Sequence, residues 1–427
     1  MFAFRNIRFC VLALACASVG CDGDRAAASD GAVAESPAAA PTPVRVGAQV
    51  LLRDSLHLVS GRRVGLVTNH TGIWSEEPGG DVSNTIDALW SAPDVELVAL
   101  FGPEHGIRGE AEAGAHADSS TDERTGNPIH SVYGATLRPT AEMLEGVEVL
   151  VFDMQDVGAR YYTYVSTMAY AMEEAGRHGI PFVVLDRPNP IRGDVVQGNV
   201  LDPAFSSFVG LYPVPMRHGM TVGELARMFV GEFGLDVELH VVPMEGWTRD
   251  MTFDRTGQPW VAPSPNLPTL ESALHYPGTC LFEGTPLSVG RGTERAFQWV
   301  GAPWLDGDAL ADAMNGYAFE GGRFEAATFT PGAPGDRKLG VPGVHGRRLH
   351  AGSTGYDAPR VAAAMLVEAR RLAGDRWAWR ERHIDLLAGG DALRSAVDSG
   401  LDVNAITADW AESVEAFRAR RARYLLY

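Results

Sequence analysis

The sequence predicts an α/β fold with a doubly wound, mostly parallel sheet and a second, smaller α+β domain. Three observations support this prediction. Short runs rich in Val and Leu recur in the first half of the chain, segments with helical spacing lie between several of them, and a polar loop follows each run. Buried strands that alternate with helices are typical of βαβ units, which place their strands in parallel within one sheet.

Four apolar runs supply the predicted strands of this sheet. Each run is short, nearly continuous in apolar residues and bounded by breakers, as expected for strands that are buried on both faces. Helical spacing is found at 84–90 and 163–178, and a short helix is predicted at 140–144. The runs are 64–67, 95–101, 147–152 and 180–185.

Polar residues follow all four runs, and parallel strands bring these loops to one edge of the sheet. Ligands bind at that edge in open α/β sheets. Turn chemistry explains one such loop, but Glu104, His105 and Arg187 are not residues that turns favour. The polar residues at the predicted edge are Asn69, His70, Glu104, His105, Asp153, Asp156, Asp186, Arg187 and Asn189.

The rest of the chain divides at a proline-rich stretch. A capped helix at 221–233 and an alternating strand at 237–242 precede three prolines within 263–268, which form an extended segment. We therefore predict a catalytic domain at 47–268 and a smaller α+β domain at 269–427. In the second domain we expect helices at 306–317, 359–372 and 408–423, and strands at 324–329 and 346–350.

The first 46 residues predict export. Residues 1–21 have two arginines before a short apolar core and end at Cys21, and 22–46 are an Ala- and Pro-rich tether that cannot pack. We expect lipidation at Cys21 and attachment to a cell-envelope membrane through that lipid alone; the alternative is ordinary cleavage nearby. Cys280 alone then remains, so no disulfide is expected within the mature domain.

Composition and motifs argue against several function classes. A net charge of −18 opposes nucleic-acid binding. No phosphate-binding glycine motif follows the first strand, so no nucleotide cofactor is expected. The histidines lack metal-ligand spacing, so no metal is expected, and no nucleophile elbow is present. Carboxylate catalysis, which glycosidases use, is the better fit for Glu104.

An arginine and two tyrosines open the helix after the third run. Tyr161 and Tyr162 could line a sugar site by stacking and hydrogen bonding, and Arg160 could hold a carboxylate with two parallel hydrogen bonds. The alternative is that the tyrosines pack in the core and that Arg160 pairs with Asp156.

Eight motifs, in order over about residues 46–427, resemble those of the exo-β-N-acetylmuramidase family. They are GLVTNHTG (65–72), FGPEHG (101–106), DMQDVGARYY (153–162), DRPNP (186–190), PSPN (263–266), FEGT (282–285), GRGT (290–293) and YLLY (424–427). One departure lies at 285–290, where Pro286 and Val289 stand at positions that are usually Asn and Glu in the family.

The resemblance implies a Rossmann-like first domain, a smaller second domain that closes a cleft, and a specific activity. That activity is release of N-acetylmuramic acid from the non-reducing ends of peptidoglycan fragments such as muropeptides, with no cofactor. The proposed catalytic acid of the family maps onto Glu104, in the motif FGPEHG. Two other readings stay open: a lipoprotein that binds wall fragments without turnover, and an exo-hexosaminidase with another sugar preference.

The predicted site therefore has a catalytic group and a binding group. Glu104 is the expected general acid, with a pKa raised by partial burial. His105 and Asp156 are candidates to orient it or to hold the water. Arg160 or Arg291 is expected to bind the lactyl carboxylate of muramic acid. The predicted binding residues are Asn69, His70, Arg160, Tyr161, Tyr162, Arg187, Asn189, Glu283 and Arg291.

Overall fold

A computed structural model describes residues 43–427 with gaps at 104–106, 108–119, 333–343 and 352–354. The predictions for Cys21, Glu104 and His105 fall outside the described residues. Contacts between residues group Thr42–Tyr427 into one unit. Within the described part of the chain, no helix is both long enough and apolar enough to span a bilayer.

The first part of the chain forms the predicted alternation of strands and helices. Its elements are α1 (Gly47–Asp54), β1 (Arg62–Thr68), β2 (Ile73–Ser75), β3 (Val82–Asn84), α2 (Thr85–Ser91), β4 (Val95–Gly102), β5 (Ser120–Thr121), β6 (Pro128–Ser131), β7 (Val149–Asp153), α3 (Tyr164–Arg177), β8 (Phe182–Leu185), β9 (Gln197–Val200), β10 (Pro215–Arg217), α4 (Val222–Phe233) and β11 (Leu239–Val242).

Seven of these strands form one sheet in the order β11-β8-β7-β1-β4-β6-β5. Every neighbouring pair is parallel except β5 with β6, which is antiparallel at the edge. The predicted doubly wound, mostly parallel sheet is therefore confirmed, and its four central predicted strands are β4, β1, β7 and β8.

Both faces of the sheet are covered, which explains the nearly continuous apolar runs. Phe101, Phe152 and Phe182 point into a core shared with α3 and α4. Leu66, Leu100 and other side chains on the opposite face pack with α1 and α2. Because successive residues of a strand point to opposite faces, a strand covered on both sides needs apolar residues at every position.

One predicted helix is absent. Residues 141–146 form a turn, in which Leu144 N donates to Thr140 O and Val147 N donates to Leu144 O. Gly146 then takes a φ of +82°, which cannot continue a right-handed helix. The chain needs this reversal to bring Val147 into line for β7, so the helical spacing at 140–144 was misleading.

The second part of the chain is a smaller α+β region, as predicted. Its three-stranded antiparallel sheet has the order β12-β14-β13. The structure adds α5, α8, α9 and α10 to the three helices that the sequence indicated. The elements are α5 (Leu270–Thr279), β12 (Trp299–Ala302), α6 (Gly307–Gly316), β13 (Gly322–Phe329), β14 (Val344–Ala351), α7 (Ala358–Ala373), α8 (Glu381–Ala388), α9 (Ala392–Asp398), α10 (Val403–Ile406) and α11 (Trp410–Arg421).

Candidate functional site

The carboxyl ends of the central strands lie level with one another. Val67 pairs with Phe101, and Thr68 pairs with Asp153, so β1, β4 and β7 end together. Phe152 pairs with Val184, which places the end of β8 beside them. Among the described residues, the loops that leave these ends therefore begin at one edge, as the sequence predicted.

Asn69 holds the first of these loops in place through hydrogen bonds to its side-chain oxygen. It is fully buried, and its Oδ1 accepts hydrogen bonds from Thr71 N at 2.9 Å and Thr71 Oγ1 at 2.6 Å. Thr71 Oγ1 in turn accepts from Gln155 N at 2.9 Å, which links this loop to the loop after β7. Asn69 Nδ2 is buried and has no partner among the described residues.

Asp156 lies in the loop after β7 and faces a histidine that sequence reasoning missed. Its Oδ2 accepts from Gly158 N at 2.7 Å and lies 3.3 Å from His218 Nε2. His218 Nδ1 accepts from Met220 N at 3.2 Å, so the ring proton of a neutral imidazole is on Nε2, toward the carboxylate. Asp156 Oδ1 is buried without a partner in the described part of the chain.

The surroundings of Arg160 oppose its expected role in binding the lactyl group, and the alternative, an ion pair with Asp156, is not formed in the described part of the chain. It is only 3% exposed, and its two terminal nitrogens donate to four backbone carbonyls at 2.9–3.0 Å. These acceptors belong to Asn199, Val214, Leu387 and Ala388, so Arg160 joins the β9–β10 hairpin to the end of α8. A guanidinium sealed in this way has no fork to offer a ligand.

Tyr161 and Tyr162 pack in the core, which was the alternative to a sugar-stacking role. The Tyr161 hydroxyl donates to Pro277 O, and its ring meets Tyr276 edge-on. The Tyr162 ring lies edge-on to Tyr164, with centroids 4.7 Å apart, and to Tyr276. Both residues are buried, so their rings pack the loop before α3 against α5.

Two further predicted binding residues, Arg187 and Asn189, form hydrogen bonds with other residues of the protein. Arg187 is 4% exposed and donates Nε and Nη2 to the two oxygens of Asp153, at 2.5 Å and 2.9 Å. Asn189 donates to Met220 O and accepts from Ile191 N. Both side chains hold loops of the edge in place, and the expectation that they contact substrate is not supported by their geometry.

Asp186 ends β8 in a fully buried polar cluster. Its carboxylate accepts from Thr221 Oγ1 at 2.8 Å, Gly223 N at 2.8 Å and Tyr427 Oη at 2.7 Å. Burial raises the pKa of Asp186 to about 7, and the charge of nearby Glu224 adds to that rise, while the hydrogen bonds oppose it. The motif YLLY therefore anchors the chain end to Asp186, the residue that follows β8.

The raised pKa of Asp186 predicts a pH-dependent stability. The folded protein keeps this proton up to about pH 7, whereas the unfolded chain loses it near 3.8, so stability falls as pH rises between these values. Between pH 5 and pH 8 we expect wild type to lose about 2–3 kcal/mol relative to Asp186→Asn. Urea unfolding of both proteins at several pH values measures this; equal pH dependence would contradict the assignment.

Arg291 and Glu283 form an ion pair in the second part of the chain. Arg291 Nε donates to Glu283 Oε1 at 2.5 Å, and its guanidinium lies 5.2 Å from the centre of the Phe297 ring. Their side chains keep 22% and 18% of their surface exposed. Arg291 is therefore reachable from solvent, unlike Arg160. His70, another predicted binding residue, has its Nε2 2.9 Å from Ala262 O.

The described residues contain no cluster of three or more His, Cys, Asp or Glu side chains that could hold a metal ion. The chemistry that these residues offer comes from carboxylates, amides and arginines.

Comparison with known proteins matches nearly the whole chain. The family models described as exo-beta-N-acetylmuramidase NamZ, N-terminal and C-terminal, match residues 64–271 and 274–427. The peptidoglycan beta-N-acetylmuramidase NamZ of Bacillus subtilis (strain 168) is 42% identical over 407 residues, which are 95% of this chain and 96% of that protein.

Solved structures show the same architecture. A DUF1343 family protein from Bacteroides fragilis NCTC 9343 superposes with a TM-score of 0.82 at 35% identity and covers 90% of this chain and 99% of its own. A second protein of that family from the same organism has a TM-score of 0.72 at 31% identity, with the same coverage.

Proposed function

Because the chain belongs to the exo-beta-N-acetylmuramidase NamZ family, we propose that it is a glycosidase that releases N-acetylmuramic acid from the non-reducing ends of peptidoglycan fragments. The observation that carries this proposal is the match of both family models in order, together with 42% identity to a peptidoglycan beta-N-acetylmuramidase over 95% of the chain. The shared edge of β1, β4, β7 and β8 provides the place for the reaction.

A paired assay tests this function. The protein is offered a chromogenic β-N-acetylmuramide beside the matching β-N-acetylglucosaminide, which lacks only the lactyl group. Preferential release of the chromophore from the muramide supports the proposal. Turnover of the glucosaminide alone would indicate another hexosaminidase, and binding of muropeptides without turnover of either sugar would indicate a binding protein.

We propose Glu104 as the general acid that protonates the leaving oxygen. Two observations support it: β4 ends at Gly102, level with the ends of β1 and β7, and Glu104 follows two positions later in the chain. Asp156 is the candidate for the second carboxylate, because its Oδ1 is buried at the same edge with no partner among the described residues. His218 Nε2 lies 3.3 Å from the other oxygen of Asp156.

We propose Arg291 as the residue that recognises the lactyl carboxylate. Muramic acid differs from glucosamine by that group, and a guanidinium binds a carboxylate more specifically than an ammonium does. Of the two arginines that the sequence singled out, Arg160 is sealed by four carbonyls, whereas Arg291 keeps part of its surface in solvent. Glu283 holds Arg291 in place through the ion pair.

The substitution Arg291→Lys is expected to reduce the preference for muramide over glucosaminide about tenfold, because it keeps the charge and loses the planar fork. The measurement is the ratio of kcat/KM on the two chromogenic sugars. Arg295→Lys is the matched control, since Arg295 lies in the same loop and donates to Gln298 Oε1. If Arg291→Lys keeps the wild-type ratio of kcat/KM on the two sugars, another residue recognises the lactyl group.

We propose that the protein is exported and lipid-anchored to a cell-envelope membrane through Cys21. The leader of 21 residues and the low-complexity tether that follows it support this. The tether ends earlier than predicted, because Val44 and Val46 are both 1% exposed and pack in the folded unit. Mass spectrometry of the mature N-terminus is expected to find a diacylglyceryl-modified Cys21, and Cys21→Ala is expected to release the protein from the membrane fraction. An unmodified terminus that begins after residue 21 would refute the lipid anchor and leave export intact.

A further inference from the structure

A cavity lies in the C-terminal part of the chain, far in sequence from the edge loops of the parallel sheet. It has a volume of about 370 Å³ and lies between the end of α6, the start of α7 and α10. This volume is within the range of small-ligand sites, roughly 300–1,000 Å³. Six side chains give the cavity its chemistry: Tyr317, Phe319, Glu320, Asp357, Arg360 and Asn404.

An aromatic pair forms one wall of the cavity. The rings of Tyr317 and Phe319 lie nearly parallel, with an interplanar angle of 16° and centroids 5.3 Å apart. Ala318 between them has a φ of +50°, a conformation that L-residues rarely adopt and that costs about 1–2 kcal/mol. Ala318 follows the end of α6, where the chain turns and the rings of Tyr317 and Phe319 lie side by side.

Polar groups opposite the rings are held in fixed positions. Arg360 donates to Thr407 Oγ1 at 3.0 Å and to Asn404 Oδ1 at 2.5 Å. Because arginine only donates, the Asn404 amide is oriented with its oxygen toward Arg360, and Nδ2 remains as a donor. Asp357 caps α7 by accepting from Arg360 N through Oδ1, which leaves Oδ2 as an acceptor. Tyr317 is fixed by its bond to Glu368.

The charges in the cavity select the kind of ligand. Glu320 and Asp357 oppose an anion such as a lactyl carboxylate, and Arg360 offsets one of these two negative charges. A neutral ligand that fits the cavity needs an apolar face for the rings, donors for the two carboxylates and an acceptor for Asn404 Nδ2. A pyranose with an N-acetyl group has a C–H face, hydroxyl and amide donors, and an acetyl oxygen.

We propose that this cavity is a second saccharide-binding site, which takes an uncharged N-acetylhexosamine unit of the glycan. The inference rests on the proposed function, because the ligand comes from the polymer on which that activity acts. A site of this kind holds the protein to a glycan chain while the edge of the parallel sheet acts on a chain end. It discriminates in the opposite sense from Arg291, since it favours the sugar without the lactyl carboxylate.

The test measures binding of N,N′-diacetylchitobiose, an uncharged disaccharide, to the full mature protein by calorimetry or ligand-observed NMR. Phe319→Ala removes half of the aromatic wall, and Glu320→Gln is an exposed, isosteric change that carries little risk to folding. We expect Phe319→Ala to weaken binding about tenfold or more and Glu320→Gln to weaken it several-fold. Trp90→Ala, an exposed aromatic on α2, is the matched control and is expected to bind as wild type.

Hydrolysis of the small chromogenic muramide separates this inference from the proposed function. All three variants are expected to keep wild-type rates on it, because it occupies only the catalytic site. An affinity for N,N′-diacetylchitobiose that is unchanged in both Phe319→Ala and Glu320→Gln would overturn the inference. Tighter binding of a diamine than of this uncharged disaccharide would also overturn it. If these variants lose affinity for N,N′-diacetylchitobiose while the wild type fails to hydrolyse the muramide, the second site is upheld and the proposed activity is refuted.

Discussion

Glu104→Gln is expected to lower kcat on a natural muropeptide by about 10²–10⁴-fold, with little change in KM or in folding. Glutamine keeps the shape and hydrogen-bonding capacity of the side chain, but it has no proton to give to the leaving oxygen. The measurement is steady-state release of N-acetylmuramic acid. Glu148→Gln is the matched control, because Glu148 pairs with Arg63 at the opposite, amino edge of the sheet.

The leaving group then identifies the role of Glu104. An aryl glycoside has a good leaving group that needs little protonation, so the same variant is expected to lose less activity on a chromogenic muramide. A residue that only positions the sugar would impair both substrates alike, through KM. Near wild-type rates of Glu104→Gln on muropeptide would exclude it as the acid and turn attention to Asp156 and Glu283.

Arg187→Ala is expected to destabilise the protein by about 3–5 kcal/mol, the largest effect on stability that we predict. The change leaves the Asp153 carboxylate buried without its two charge-assisted hydrogen bonds, at a site where both side chains are almost fully enclosed. Urea unfolding gives the free energy of unfolding. Arg45→Ala breaks an ion pair whose side chains are both 45% exposed, and it is expected to cost about 0–1 kcal/mol.

A second variant distinguishes the lost charge pair from lost packing. Asp153→Asn with Arg187→Met removes both charges and keeps an acceptor for the Thr85 hydroxyl, which bonds Asp153. The double variant is expected to be more stable than Arg187→Ala, because it leaves no buried charge unpaired. If the double variant is as unstable as Arg187→Ala, packing and not charge accounts for the effect.

The strands of the sheet were predictable because burial on both faces leaves a direct record in the sequence. The run 147–152 is apolar at every position except Glu148, and Asp153 follows it at the point where the structure ends β7. The alignment of the polar loops at one edge followed from parallel pairing alone. Local spacing was weaker evidence: at 140–144 it indicated a helix where the chain forms a turn.

The roles of individual side chains were less predictable, because they depend on partners distant in sequence. Arg160 lies in a motif that suggested ligand binding, yet its side chain donates to backbone carbonyls of residues as far as 228 positions away. His218 follows the short strand β10, which carries no motif, and its partner Asp156 lies far away in the sequence. Every residue has a backbone carbonyl, so contacts with these groups leave no pattern in the sequence and are found only in a structure.

The anchoring of Arg160 has a consequence for how the protein unfolds. Its four bonds tie the β9–β10 hairpin to α8, and the large apolar core is shared by α3, α4, α5 and α7. Two halves that share one core do not melt separately, so heating is expected to give a single cooperative transition despite the two family models. A chain cut between residues 271 and 274 would expose that core on both fragments, and neither fragment is a candidate for an autonomous module.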